Sequence, residues 1–180
     1  MLGYAVSASA ITGVLNGCKA ELTTDWEPLF LSTEQANALQ TVTESIIPAT
    51  NTPGANDVGV HQFIDLMLKE CLNENEQKIM VDGLTQLDSD CRSAYNKAFS
   101  QCDNKQQTEL LTRYDQAAYQ FNQSAADDAD KPFFTLLKEL TILGYFTSEK
   151  IGEEVLSYDP IPDTYSGCIP WEEGKANWSL

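Results

Sequence analysis

Apolar residues recur along this chain at helical spacing and almost nowhere in strict alternation. Ser32-Thr33 followed by Glu34-Gln35 offers hydroxyls that cap free N–H groups, and Ala36, Leu39, Val42 and Ile46 then share one face. Pro48 ends that helix and opens the turn-rich stretch Ala49-Thr50-Asn51-Thr52-Pro53-Gly54-Ala55-Asn56. Val60, Phe63, Ile64, Met67, Leu68 and Cys71 follow at spacings 3, 1, 3, 1, 3, the clearest helical rhythm in the chain. Glu76 to Leu87 repeats it through Ile79, Met80, Leu84 and Leu87, and Lys105 to Phe121 through Leu110, Leu111, Tyr114, Ala118 and Phe121. After the acidic linker Asp127-Asp128-Ala129-Asp130, the segment Phe133–Phe146 is dense enough in apolar residues to predict a helix buried on most sides. Ser148 is placed to cap a shorter helix, Glu149 to Leu156.

The last stretch breaks the pattern. Pro160, Pro162, Gly167, Pro170 and Gly174 exclude a continuous helix, yet Tyr158, Tyr165, Ile169, Trp171 and Trp178 share the segment. Prolines mixed with aromatics predict an extended arm that lies across a surface, its own or a partner's. The expected fold is therefore all-α: a compact multi-helix domain over 19–157 and an extended C-terminal arm over 158–180.

The first eighteen residues form a third unit. Leu2 to Leu15 is apolar and small, too short to cross a bilayer but of the length of a signal-peptide core. Leu15-Asn16-Gly17-Cys18 is similar to a lipobox, in which Cys18 becomes an acylated N-terminus; Asn16 is an unusual residue there. Acyl chains contribute about 0.8 kcal/mol per buried CH₂, so acylation at Cys18 would hold the protein on a membrane. Met1 runs straight into the apolar segment, so a basic n-region is expected upstream. The competing reading of residues 1–18 is a buried N-terminal helix.

Composition narrows the function. Eleven Lys and Arg against 27 Asp and Glu give a net charge of −16, which disfavours nucleic acid and charge-driven binding to anionic lipid. An apolar content of 42% supports a real core. His61 is the sole histidine and has no ligand partner at metal spacing, so a capping or surface role is expected. Asp127-Asp128-Ala129-Asp130 lacks the pattern of a calcium loop, and Asp88 and Asp90 read as solvated charges at a helix end. The chain has no G-x-S-x-G, no phosphate-cradling glycine loop and no C-x-x-C-H heme attachment. Twenty-seven acids leave room for an unmarked carboxylate pair, but none stands out.

Outside the cytosol Cys71, Cys91, Cys102 and Cys168 can form disulfides. Cys91 and Cys102 bracket a short loop and are the first candidates for an internal bridge, although four reduced thiols fit the spacing as well. Cys71 continues a helical rhythm and reads as a small buried hydrophobe. Cys168, in the Gly/Pro-rich tail, suits pairing with a partner chain.

Four segments together resemble the small subunit, subunit three, of gluconate 2-dehydrogenase and related membrane-bound sugar dehydrogenases. They are Leu31-Ser32 with Ile46-Ile47-Pro48-Ala49-Thr50-Asn51-Thr52-Pro53-Gly54-Ala55, Val58-Gly59-Val60 and Phe63-Ile64-Asp65; Gly83-Leu84 through Leu87-Asp88; Phe133 through Thr141 with Gly144-Tyr145-Phe146-Thr147-Ser148-Glu149; and Tyr158-Asp159-Pro160-Ile161-Pro162, Tyr165, Gly167-Cys168 and Trp178. The likeness runs from about Leu31 to the end. It implies a non-catalytic subunit without a cofactor, accompanying a large flavoprotein that carries FAD and oxidises a sugar or polyol. It further implies a multiheme cytochrome c as third subunit, and residence in the periplasm at the bacterial inner membrane. The small subunit of that family escorts its folded partner through twin-arginine export, but no Arg-Arg pair precedes the apolar segment here. An arm poor in conformational freedom suits such an escort, which makes Tyr158, Tyr165 and Trp171 candidate anchors and Cys168 a candidate inter-chain disulfide. The alternative, from another class, is a stand-alone periplasmic lipoprotein that binds a small ligand in a helical pocket. A third is an enzyme built on an unmarked carboxylate pair. A neighbouring flavoprotein gene favours the escort, an isolated gene the lipoprotein.

Overall fold

Ser32 does cap the first helix: its Oγ accepts from Gln35 N while Gln35 Oε1 accepts from Ser32 N, a reciprocal pair that satisfies two free donors. Asn73 with Glu76 and Asp103 with Gln106 repeat the device, so three helices begin where the side chains dictate. The computed structural model describes residues 26–126, 129–158, 161, 168, 170 and 173–176. Among them run six α-helices and no strand: α1 Thr33–Ile46, α2 Val60–Glu70, α3 Glu74–Tyr95, α4 Asn104–Ser124, α5 Phe133–Phe146 and α6 Glu149–Glu154. Short 3₁₀ turns at Asn56–Val58 and Phe99–Gln101 punctuate the connections.

The expected helices are all present, two of them longer than periodicity indicated. α3 runs through Tyr95, where Asn96 in the left-handed conformation (φ 55°) ends it. Ser148 stands at the N-cap of α6 but makes no cap bond; its Oγ donates back to Tyr145 O at 2.7 Å. Ser157 Oγ donates to Ala176 O at 2.9 Å, which brings residue 176 beside the end of the helical domain, while the described residues of the arm are exposed.

α5 is the centre of the fold and packs against every other helix. Phe134, Leu136, Leu137, Leu140 and Tyr145 join Leu39 and Val42 of α1, Ile64 and Leu68 of α2, Met80, Leu84 and Leu87 of α3, and Leu110 and Leu111 of α4 in one core. Two glycines permit the close crossings. A Cβ on Gly83 would lie 2.1 Å from the Phe133 ring, and one on Gly144 2.6 Å from that of Phe63. Gly83 thus lets the start of α5 press on α3, and Gly144 lets α2 press on the end of α5.

Four expectations are corrected. Asp88 and Asp90 lie within α3 instead of at its end, half-buried, and accept from Phe99 N and Tyr114 Oη. α2 ends at Glu70, so Cys71 is its exposed C-cap instead of a buried hydrophobe; Met67 O accepts from both Cys71 N and Leu72 N and closes the helix there. His61 is buried against the Trp26 ring, with centroids 5.4 Å apart, and is not a surface residue. The apolar density of α5 overstated its burial, because Ile142, Leu143 and Phe146 face outward.

Candidate functional site

Among the described residues no cluster of three His, Cys, Asp or Glu side chains can hold a metal ion, and no helix is long and apolar enough to cross a membrane. What the helices position is a surface. Two buried or half-buried carboxylates hold its parts in place.

The first carboxylate is Glu44, near the end of α1. Its Oε1 accepts from Ala49 N and its Oε2 from Asn56 N, both at 3.0 Å, which folds the intervening loop back on the helix. Within the loop Gly54 N donates to Asp57 Oδ2 at 2.8 Å, and Ala55 N to Ile47 O at 2.9 Å. From α5, Tyr145 Oη donates to Pro53 O at 2.8 Å. This bond joins the Ile46–Ala55 element to the Gly144-Tyr145-Phe146 element across 92 positions of sequence. With its backbone groups so occupied, the loop is a fixed ridge that presents Pro48 to Asn51 to solvent.

The second carboxylate is Asp65, fully buried in the middle of α2. It accepts three backbone N–H groups from the strap before α1: Leu29 at 2.6 Å, Phe30 at 3.3 Å and Leu31 at 2.9 Å. Charge-assisted bonds of this kind are about twice as strong as neutral ones. They turn Leu31 into the core and leave Leu29 and Phe30 outside, 53% and 38% exposed. Beside Asp65 in sequence, Leu66 is also exposed. Ile142, Leu143 and Phe146 bracket Gly144, the contact of α5 with α2, and each is about 45% exposed. The strap and α5, each in contact with α2, and α2 itself thus all present large apolar side chains to water.

The remaining features are structural. Tyr114 Oη donates to Asp90 Oδ2 at 2.8 Å, and burial, then this bond, push its ionisation well above the usual phenol range. The ion pairs of Lys131 with Glu139 and Lys138 with Asp115 are half exposed and contribute little. An open cleft of about 490 Å³ between α1, the loop and α4 is lined by Thr41, Glu44, Ser45, Asn56, Gln107 and Thr108. It is polar and wide where small-molecule sites are enclosed and mostly apolar.

Of the anchors expected in the arm, Tyr158 and Cys168 are exposed. Cys18, Tyr165 and Trp171 lie outside the described residues. The structure brings Cys91 and Cys102 together as buried free thiols, with sulfurs 3.4 Å apart. Sequence reasoning assigned no role to Asp65, Glu44 or Tyr145. Asp65 carried a legible signal, a lone acid within the apolar run of a core helix; Glu44 and Tyr145 carried none, since their partners are backbone groups of a loop.

A model of the family described as gluconate 2-dehydrogenase subunit 3 matches residues 33–162, more than two thirds of the chain. No curated protein and no solved structure gives a match.

Proposed function

The chain belongs to the gluconate 2-dehydrogenase subunit 3 family, and from that premise we propose that it is a non-catalytic subunit that docks on and escorts the FAD-carrying subunit of a sugar or polyol dehydrogenase. The observation that carries the reading is the set of large apolar side chains on the strap, α2 and the outer face of α5. Such residues on neighbouring elements are the usual mark of a protein interface. Rigid supports under them lower the ordering cost of binding, and the Asp65 bonds supply that rigidity to the strap. Tyr158 and Ile161, both exposed, extend the same surface into the arm in this reading.

The complex acts in the periplasm at the inner membrane, carried there by export of this subunit, with Cys18 as lipid anchor and Cys168 in a bridge to the partner. Oxidation of the sugar and FAD belong to the large subunit, and onward electron transfer to a cytochrome c with heme. Co-expression with a flavoprotein encoded beside this gene tests the proposal. A yellow complex that survives affinity purification and gel filtration is expected; recovery of this chain alone, colourless and monomeric, overturns it.

A further inference from the structure

Cys91 sits in the last turns of α3, fully buried, and Cys102 follows the Phe99–Gln101 turn, 7% exposed. Their sulfurs are 3.4 Å apart, and about 1.4 Å of approach, within reach of side-chain torsions, would bring them to bonding distance. Neither cysteine is on a loose segment. Asp88 Oδ1 accepts from Phe99 N at 2.8 Å and pins the turn to α3. Gln107 Nε2 donates to Cys102 O at 2.9 Å, while its Oε1 accepts from Ser45 Oγ at 3.2 Å on α1. The same neighbours that position the thiols therefore keep them facing each other.

We infer that Cys91 and Cys102 are a disulfide-forming pair that joins α3 covalently to the start of α4 when the folded chain meets a disulfide-donating oxidant. The exchange balances in two steps. Cys102, the less deeply buried thiol, loses its proton, and its thiolate attacks one sulfur of the oxidant's disulfide, breaking that bond and releasing one oxidant thiolate. Cys91 then loses its proton, and its thiolate attacks the Cys102 sulfur of the mixed disulfide and displaces the second oxidant sulfur. Two electrons pass from the cysteines to the oxidant, whose two sulfurs take up the two protons. Burial, then the Cys102 thiol, push Cys91 up to about 12, with Asp88 and Asp90 acting in the same direction. Closure is accordingly slow at neutral pH and proceeds from the mixed disulfide, whose proximity compensates for scarce thiolate. The inference stands apart from the subunit reading, since it concerns only this chain.

The test uses the full chain with Cys18→Ser, Cys71→Ser and Cys168→Ser, incubated with oxidised glutathione and digested with trypsin without reduction. Residues 79–92 linked to residues 98–105 are expected, released by dithiothreitol. The oxidised protein should melt about 6–12 °C above its reduced form, the effect of closing a short loop in a chain of this size. Adding Cys102→Ser should abolish both the linkage and the rise. Glutathione that stays on Cys102 with no linked peptide would overturn the inference. So would a linked form that melts below the reduced one, or a rise that persists in the Cys102→Ser protein.

Discussion

Asp65 binds its strap through three backbone donors, with no cation in ion-pair reach among the described residues. Leu29 and Phe30 can return their N–H groups to water, but that of the buried Leu31 cannot. Asp65→Ala should therefore cost about 2–4 kcal/mol in urea unfolding, from an orphaned buried donor and lost charge-assisted bonds. Limited proteolysis of the variant should cut first at residues 26–31, and an unchanged digestion pattern would remove the clamp from the account. A second residue-scale consequence concerns alkali. In the reduced protein Cys91 is raised from 9.0 to about 12, and Tyr114 is raised too by its burial and by Asp90. Both hold protons in the folded state that the unfolded chain releases, so stability is intact below about pH 9 and declines as pH rises toward 12. Melting scans from pH 8 to 11 should show that decline, and Cys91→Ala should make it shallower. Cys91 is faced by Cys102, Asp88 and Asp90, and Tyr114 by Asp90, Arg113 and Cys91; of these Arg113 alone opposes the rise.

Between helices, the two glycine crossings set how near α5 can come to its neighbours. Gly83→Ala puts a methyl inside the space of the Phe133 ring, and the ring must leave or the helices must part. A loss of about 1–3 kcal/mol is expected, the usual cost of overpacking, against the small gain that Gly→Ala brings in an open helix. Chemical denaturation of Gly83→Ala decides between them. Helix identity was legible here because apolar spacing was regular and, at Ser32, agreed with a cap; the caps at Asn73 and Asp103 emerge only in the structure. Helix ends were less so: the spacing carried Cys71 into α2, while the hydrogen-bonding capacity of Met67 O had already closed it. α5 misled for a different reason. Fourteen mostly apolar residues read as core whichever way they face, because periodicity does not separate a face turned to the domain's own interior from one turned to another protein. The loop over 47–59 was legible only as a turn-rich motif; the bonds that fix it come from Glu44 and Tyr145, one adjacent and one distant.

For the molecule as a whole, the docking reading makes a selective prediction. Ile142→Asp with Phe146→Asp changes side chains that are already half in water, so the fold should tolerate both, within about 0.5 kcal/mol each. The flavoprotein should nevertheless be lost from the affinity-purified complex. Tyr119→Asp, at a more exposed apolar position on α4, should leave the complex intact. Loss with all three variants, or with none, would move the interface elsewhere.

The central place of α5 has a consequence for biosynthesis. Translation delivers α1 to α4 first, and although α1 packs on the other three, the core they share is not closed until Phe146 has left the ribosome. A product that ends before α5 therefore lacks both the keystone of its interior and the outer ridge of Ile142, Leu143 and Phe146. In the docking reading one helix thus couples closure of the core to display of the surface that a partner would read.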